Sequence, residues 1–509
     1  MKTVQEAFHS IETYSPAEEQ FNRRRRGTGL VIAPLLFLAV LAMPWPALTP
    51  QAHRLAAIMA AVMVLWVSEA LPMAIVALLG PLLAVLLGVT DARTAFASFA
   101  DPIVFLFIGS FMLAEAMFVH GVDRRIAYTA LSWDAIGRSG TRILLVYGGV
   151  ATALSMWISN TATTAMMFPI GVSILAHMGK GGRGGHGDLR RFAMGLMLVT
   201  AFGASVGGMA TPVGTPPNLI GIGLIDRIQG VHISFLRWMA VGVPLVVMLF
   251  VVLMVYFYFA CSRGVMTGEG SAALVRDELT QLGPMTPGER NVLIAFGVTV
   301  TLWLLPGILA IAGLGGSAFA RTFTQLVPEA AAALCGAVLL FLLPVSWRAR
   351  RFTLTWEEAT RIDWGIILLY GGGLALGDLA FSTGLAGVAG EVVTGWLPSE
   401  STFSLVAMST GLAILLSETT SNTAAANMIV PVAIAVAQSA HVDPLLPAVG
   451  ATLGASMGFM LPISTAPNAI VYSSGFVPIT KMMKYGLALD LAAFVAIVTL
   501  VMSIGAWVL

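Results

Sequence analysis

The sequence predicts an all-α polytopic membrane protein. About eleven transmembrane helices are expected, in two inverted repeats, each with one re-entrant hairpin and one broken helix. Three observations predict it: the density of apolar residues, the placement of basic ones, and a pair of polar motifs that recurs at constant spacing. Of 509 residues, 57% are hydrophobic and 10% charged. Apolar runs recur near the roughly 20 residues that a helix needs to cross a bilayer core. The clearest are 30–45, 55–66, 73–87, 240–260, 292–314, 330–343 and 491–509. A membrane β-barrel would read instead as short segments of alternating polarity.

The first 28 residues are polar, include four consecutive arginines at 23–26, and lack the small-residue cleavage site of a signal peptide. They are expected to form a cytoplasmic tail, followed by a leading transmembrane helix at 29–54. Residues 55–261 then form the first repeat, 262–288 a polar cytoplasmic linker, and 289–509 the second repeat. With the N-terminus inside, 22 of the 27 Lys and Arg residues fall on the cytoplasmic side. Only Arg54, Arg93, Arg227, Arg237 and Arg321 lie outside. The basic excess of cytoplasmic loops supports this orientation, provided that two apolar segments enter and leave on the same side as re-entrant hairpins.

Those two segments carry the polar motifs. Ser159, Asn160 and Thr161 recur as Ser421, Asn422 and Thr423, 262 positions later. The same offset pairs Asp101 with Asp363, Gly109 with Gly371, Ser155 with Ser417 and Pro169 with Pro431. Further on, PVGTPPNLI (212–220) matches PISTAPNAI (462–470) at an offset of 250. The glycine-rich loop GKGGRGGHG at 179–187, present only in the first half, absorbs the difference. Each half then has five spans, an odd number, so the halves insert in opposite orientations. Inverted repeats place substrate and ion sites at the repeat interface near the membrane midplane.

Pro212, Pro216 and Pro217, and later Pro462 and Pro467, cannot sit inside a regular helix. Breaks near 211–218 and 462–468 are therefore expected. Unwound backbone at membrane depth is tolerated only when buried in protein or lining a cavity. The N-terminus of a half-helix attracts anions, and free carbonyls at the opposite ends can hold a hard cation such as Na⁺. Ser, Thr and Asn suit both tasks, since their oxygens coordinate cations and their O–H or N–H groups bind carboxylate. Neither motif contains Lys or Arg. An anionic substrate would be neutralised by dipoles and co-bound cations, which couples its movement to a cation gradient.

Other polar groups point less directly to chemistry. Glu69, Glu115, Asp378 and Glu418 lie in or near apolar spans, where charge is costly; structural hydrogen bonding is the expected role. Cys261 and Cys335 are far apart and show neither metal-ligand nor disulfide spacing.

These residues together resemble the divalent anion/sodium symporter family, which includes the INDY-type dicarboxylate and citrate transporters. The resemblance rests on EALPMAIVALLGPLL, FLFIGSFMLAEAM, SNTATTAMMFPI, GTPPNLI, GIILLYGGGLALG, SNTAAANMIVPV and STAPNAIVYSSG, and covers nearly all of the chain beyond the tail. It implies that the SNT triplets sit at the hairpin tips, facing the broken helices. One Na⁺ site would draw on Ser155, Ser159, Asn160 and Gly214. A second would draw on Ser417, Thr420, Asn422 and Ser464. Substrate carboxylates would meet Asn160, Thr161, Thr215, Ser421, Asn422, Thr423 and Thr465. The resemblance further implies a homodimer in the cell membrane, with a transport domain that carries the hairpins past a fixed scaffold in an elevator motion. Ala466 departs from the first half, which has Pro216 at that position.

The expected function is Na⁺-coupled symport of a di- or tricarboxylate, such as succinate, malate, fumarate or citrate. Dicarboxylate exchange and sulfate transport are the alternatives within the same fold. No enzymatic activity, resident cofactor or nucleic-acid partner is expected. An intramembrane protease would need a catalytic pair, such as GxSxG with a distant base, or a His/Glu metal set such as HExxH, and neither is expected. A passive channel is disfavoured because twin broken-helix sites suit occlusion better than conduction.

Overall fold

The computed structural model describes residues 16–132, 139–180, 186–263, 271–395 and 401–509. Residues 1–15 of the tail, Arg138, most of the glycine-rich loop (181–185) and part of the linker (264–270) lie outside the described residues.

The chain opens with α1 (Pro16–Ala42). This helix already includes the arginine run, so the second half of the expected tail is helical. Arg25 Nη2 reaches Glu69 Oε2 at 2.7 Å, which fixes the run against the end of α2 (Pro50–Ser68). The expected boundary at 54/55 falls inside α2. Thr49 caps this helix by accepting from Ala52 N at 3.2 Å, and Pro50 occupies its first turn, the usual helix-start chemistry.

Two parallel series follow. The first is α3 (Met73–Leu86), α4 (Ala92–Ala97), α5 (Pro102–His120), α6 (Val122–Leu131), α7 (Gly140–Ser155), α8 (Asn160–Lys180), α9 (His186–Gly208), α10 (Pro216–Gln229) and α11 (Phe235–Phe257). The expected linker holds one further helix, α12 (Ser271–Gln281). The second series is α13 (Pro287–Ile311), α14 (Ala318–Leu326), α15 (Glu329–Leu342), α16 (Trp356–Ala359), α17 (Trp364–Ser382), α18 (Leu385–Thr394), α19 (Thr402–Thr419), α20 (Asn422–Ser439), α21 (Leu445–Gly454), α22 (Ala466–Tyr472) and α23 (Ile479–Leu500). A two-stranded hairpin pairs Pro344–Ser346 with Arg351–Phe352. From α4 to α8 the first series matches α16 to α20 helix for helix. Even the caps agree: Asp101 accepts from Ile103 N ahead of α5, and Asp363 from Ile366 N ahead of α17.

Among the described residues, ten helices are long and apolar enough to cross a membrane. The count is eleven if α14 and α15, bent by 65°, form one span. The number agrees with expectation, but the membership differs. Length and composition admit the hairpin arms α8 and α19, and leave the 14-residue α3 among the shorter apolar helices.

Packing crosses between the series. Helix α10 lies on α17, α20 and α21, while α22 lies on α8 and α9. In the same reciprocal way α3 packs on α17, and α15 on α5. Each half therefore supplies the surface on which the restarted helix of the other half rests. Further ion pairs among the described residues bind remote elements. Arg125 Nε meets Glu289 Oε1 at 2.7 Å, joining α6 to α13. Arg227 Nε meets Asp378 Oδ2 at 3.0 Å, joining α10 to α17. His232, in the turn after α10, faces Asp226 at 3.9 Å and Glu329 at 3.5 Å, and these two carboxylates push its pKa up to about 10.

Candidate functional site

Each SNT triplet sits at the tip of a tight helical hairpin. Helix α7 ends at Ser155 and α8 starts at Asn160; α19 ends at Thr419 and α20 starts at Asn422. The first residue of each triplet caps the second arm. Ser159 Oγ accepts from Ala162 N, and Ser421 Oγ from Ala424 N, both at 3.2 Å. A capping oxygen uses one lone pair and keeps its hydroxyl proton. Ser421 directs that proton to Met73 Sδ at 3.2 Å.

The asparagines are held from below. Ser155 Oγ donates to Asn160 Oδ1 at 2.8 Å, and Ser417 Oγ donates to Asn422 Oδ1 at 2.7 Å. Ser155 and Ser417 are fully buried. With its carbonyl so fixed, Asn160 points Nδ2 toward Thr215 Oγ1 at 3.5 Å, and Asn422 points Nδ2 toward Ser456 O at 3.4 Å.

The broken helices meet these tips. Helix α9 stops at Gly208 and α10 starts at Pro216; α21 stops at Gly454 and α22 starts at Ala466. Pro216 and Pro217 open α10 rather than lying in the unwound stretch, because a proline in the first turn loses no helical hydrogen bond. The second break is longer than expected and begins seven residues before Pro462, at Ala455. Its N-cap Thr465 spends its oxygen on Asn468 N at 3.2 Å, whereas Thr215 makes no cap bond.

Gly214 explains why the first break needs a residue without a side chain. A methyl group there would stand 2.5 Å from Gly208 O, 2.9 Å from Met156 O and 3.0 Å from Ser155 O. Three carbonyl oxygens thus converge beside Gly214, from the hairpin and from the end of α9. In the second half Ser464 occupies the matching place, next to Gly458 and Ser417. Its hydroxyl donates to Glu418 O at 3.0 Å and to Glu418 Oε2 at 2.7 Å.

Of the residues singled out from the sequence, Ser155, Asn160, Gly214 and Thr215 come together in the first half, and Ser417, Asn422 and Ser464 in the second. Thr420 turns its hydroxyl away, to Trp66 O of α2 at 3.2 Å. Thr161 is exposed at the first tip and Thr423 half-buried at the second.

Two residues that shape the breaks escaped sequence reasoning although both stand in the quoted motifs. Asn218 Nδ2 donates to Gly208 O at 2.9 Å and to Thr211 O at 2.7 Å. Asn468 Nδ2 donates to Gly458 O at 2.9 Å and to Leu461 O at 3.0 Å. Asn218 ties the start of α10 to the end of α9 and to the unwound strand, and Asn468 ties the start of α22 to two carbonyls of its unwound strand, replacing hydrogen bonds that the break removes.

Contrary to the expectation that the chain lacks GxSxG, two Gly-x-Ser-x-Gly strings, at 203–207 and 454–458, border these breaks. The hydroxyls of Ser205 and Ser456 are buried and touch no hydrogen-bond partner among the described residues, so neither is paired with a base. The described residues also contain no cluster of three His, Cys, Asp or Glu fit to hold a metal.

Chemically, the site is a set of neutral oxygens and amide donors, with the Glu418 carboxylate against Ser464 in the second half, and no basic side chain among the described residues bonds to it. Comparison with known proteins fits that character. The profile of the family described as "Sodium:sulfate symporter transmembrane region" matches residues 25–509. The sodium-dependent dicarboxylate transporter SdcS of Staphylococcus saprophyticus is 35% identical over 482 residues, covering 93% of this chain and 90% of that protein. SdcS of Staphylococcus aureus (strain USA300) is 32% identical over 478 residues, with the same coverage. The crystal structure of the Alcanivorax borkumensis YdaH transporter shares the fold at a TM-score of 0.52 and 14% identity, over 81% of this chain and 86% of that one. This multi-pass helical protein belongs to the sodium:sulfate, or divalent anion/sodium, symporter family of membrane transporters.

Proposed function

We propose that the protein carries a di- or tricarboxylate of the succinate, malate, fumarate or citrate class across the cell membrane together with Na⁺. One observation carries the reading. Two hairpin tips present Asn160 and Asn422, each with its carbonyl fixed by a serine, in a site without Lys or Arg. Such a site binds a dianion only if cations enter with it, because an unpaired charge out of water is costly. The first cation lies among Ser155, Ser159, Asn160 and Gly214, where carbonyl oxygens converge. The second lies among Ser417, Thr420, Asn422 and Ser464, with Thr420 contributing its backbone carbonyl. Asn160, Thr161, Thr215, Ser421, Asn422, Thr423 and Thr465 receive the carboxylates. The names of the curated relatives, sodium-dependent dicarboxylate transporters, support the same substrate and ion.

In this reading the two series are inverted repeats with re-entrant hairpins, and the N-terminus is cytoplasmic. The protein works as a homodimer, and the hairpins and broken helices move as one body past a fixed scaffold.

The test is uptake of labelled succinate into proteoliposomes, with and without an inward Na⁺ gradient, and with or without internal dicarboxylate. Uptake driven by the Na⁺ gradient alone supports symport. Uptake that requires internal dicarboxylate and ignores Na⁺ would replace symport by exchange. Competition by sulfate but not by succinate would reassign the substrate.

A further inference from the structure

The short β-hairpin between α15 and α16 takes no part in the site described above. Its strands pair Pro344 with Phe352 and Ser346 with Arg351, and three helices hold its base. Asn291 Nδ2, near the start of α13, donates to Pro344 O at 3.0 Å and to Thr353 Oγ1 at 2.9 Å. His120 Nε2, at the end of α5, meets Thr353 O at 2.6 Å. Thr353 N and Leu354 N donate to Leu343 O and Leu340 O at the end of α15, at 3.0 and 3.1 Å. The hairpin is thereby fixed at the level where α5 and α15 end and α13 begins.

Its tip carries charge that the protein leaves unbalanced. Residues 347–352, Trp-Arg-Ala-Arg-Arg-Phe, are all exposed, Trp347 at 77%. Arg348, Arg350 and Arg351 form no ion pair among the described residues. The next acids along the chain do not reach them: Glu358 accepts from Thr355 N, and Asp363 from Ile366 N. Arg350 N closes the turn on Trp347 O at 3.3 Å, with Arg350 at φ +48°. Hairpins favour glycine or asparagine at such a left-handed position. The tip thus presents three cations side by side at a conformational cost.

Aromatic and apolar surface adjoins these cations. Trp356, 63% exposed, opens α16, and the exposed Trp364 opens α17. On the helices that hold the hairpin, Leu342 of α15 and Ile294 of α13 also turn outward. Apolar helix surface gives way to tryptophan and then to arginine. A bilayer presents the complementary order, from acyl chains through the interfacial boundary to anionic headgroups. We propose that the 347–352 tip docks on the headgroups of anionic phospholipids. Arg348, Arg350 and Arg351 take the phosphates, and Trp347 and Phe352 rest at the acyl boundary. The contact sets the depth at which α5, α13 and α15 meet the membrane surface. Only the leaflet, the cytoplasmic one, rests on the orientation proposed above; the ligand does not.

The test uses purified full-length protein in detergent, titrated with phosphatidylglycerol, phosphatidylcholine or inorganic phosphate while thermal melting is followed. Phosphatidylglycerol alone should raise the melting temperature. Arg348→Gln/Arg350→Gln/Arg351→Gln should melt like the wild type without lipid, since these side chains are exposed and unpaired. It should need more phosphatidylglycerol for the same shift, about 5-fold more for each arginine removed. The charge-matched Arg93→Gln/Arg237→Gln/Arg321→Gln, remote from the tip, should respond like the wild type. In proteoliposomes, brominated phosphatidylglycerol should quench the wild type more than Trp347→Phe. Equal responses of the two triple variants would overturn the proposal and leave an effect of net charge. A shift produced by inorganic phosphate alone would also overturn it, in favour of a free anion. A tip variant that keeps the wild-type lipid response but changes oligomeric state by light scattering would assign this face to a second copy of the chain instead.

Discussion

Ser155 donates its hydroxyl to the side-chain carbonyl of Asn160 at 2.8 Å, which leaves the amide nitrogen directed at Thr215. The orientation is set before any ligand arrives. Asn160→Asp would put a second acceptor where that nitrogen stands and add a negative charge. The expected outcome is loss of measurable succinate binding with Na⁺ binding kept or strengthened. Asn422→Asp should behave alike, because Ser417 Oγ meets its carbonyl at 2.7 Å, though the same hydroxyl also lies 2.9 Å from Ala455 O. Calorimetric titration of succinate and Na⁺-dependent thermal shifts check both. Wild-type succinate binding in both variants would return the triplets to the role of helix caps.

Gly214 and Ser464 occupy matching places with different surroundings. Gly214→Ala drives a methyl group into three carbonyl oxygens. Overpacking of this kind costs about 1–3 kcal/mol, drawn here from the geometry of the proposed first cation site. The Na⁺ concentration for half-maximal uptake should rise by about 10-fold or more, one decade being about 1.4 kcal/mol. Unchanged Na⁺ dependence would remove these carbonyls from the cation site.

Asn218 and Asn468 should matter for stability before they matter for transport. Asn218→Ala leaves Gly208 O and Thr211 O without their donor. Each buried carbonyl left unpaired costs about 1–3 kcal/mol, so the detergent-solubilised protein should melt several degrees lower. Asn468→Ala should match it through Gly458 O and Leu461 O. Thermal melts of both variants, followed by intrinsic fluorescence, measure this. A variant that melts like the wild type would show that water replaces the amide.

The pairing of His232 predicts a pH dependence with a definite sign. Asp226 and Glu329 raise its pKa to about 10, against an ordinary histidine value of about 6.5. A raised folded-state pKa stabilises the folded state fully below the unfolded value, and the stabilisation disappears as pH climbs through the folded one. The stability difference between wild type and His232→Gln should therefore be largest below about pH 6.5 and shrink steadily toward pH 10. A difference that grows with pH would contradict the pairing.

The sequence shows the hairpin tips and the breaks because polar triplets and prolines stand out in so apolar a chain, and because each occurs twice. It does not show the clamps. Asn218 and Asn468 are visible in the motifs, but a break reads from sequence as a source of free backbone groups. That one amide has to satisfy two of those groups follows only from the turn that the strand takes. The boundary near residue 50 is blurred by apolar residues on both sides of a short loop. There the Thr49–Pro50 start signal carries more information than hydropathy.

The reciprocal seating of α10 on α17, α20 and α21, and of α22 on α8 and α9, has a consequence for biosynthesis. When the ribosome has finished α10, none of the helices that support it has yet been made. The first half must wait in the bilayer, its polar Thr215 and Asn218 held only by local bonds, until roughly two hundred more residues have been inserted. The residues beside each break come from one half, but the helix that restarts there is seated on the other, so the packing around both breaks closes late. A chain released after the first half would hold one carbonyl-rich break, without the helices on which α10 rests.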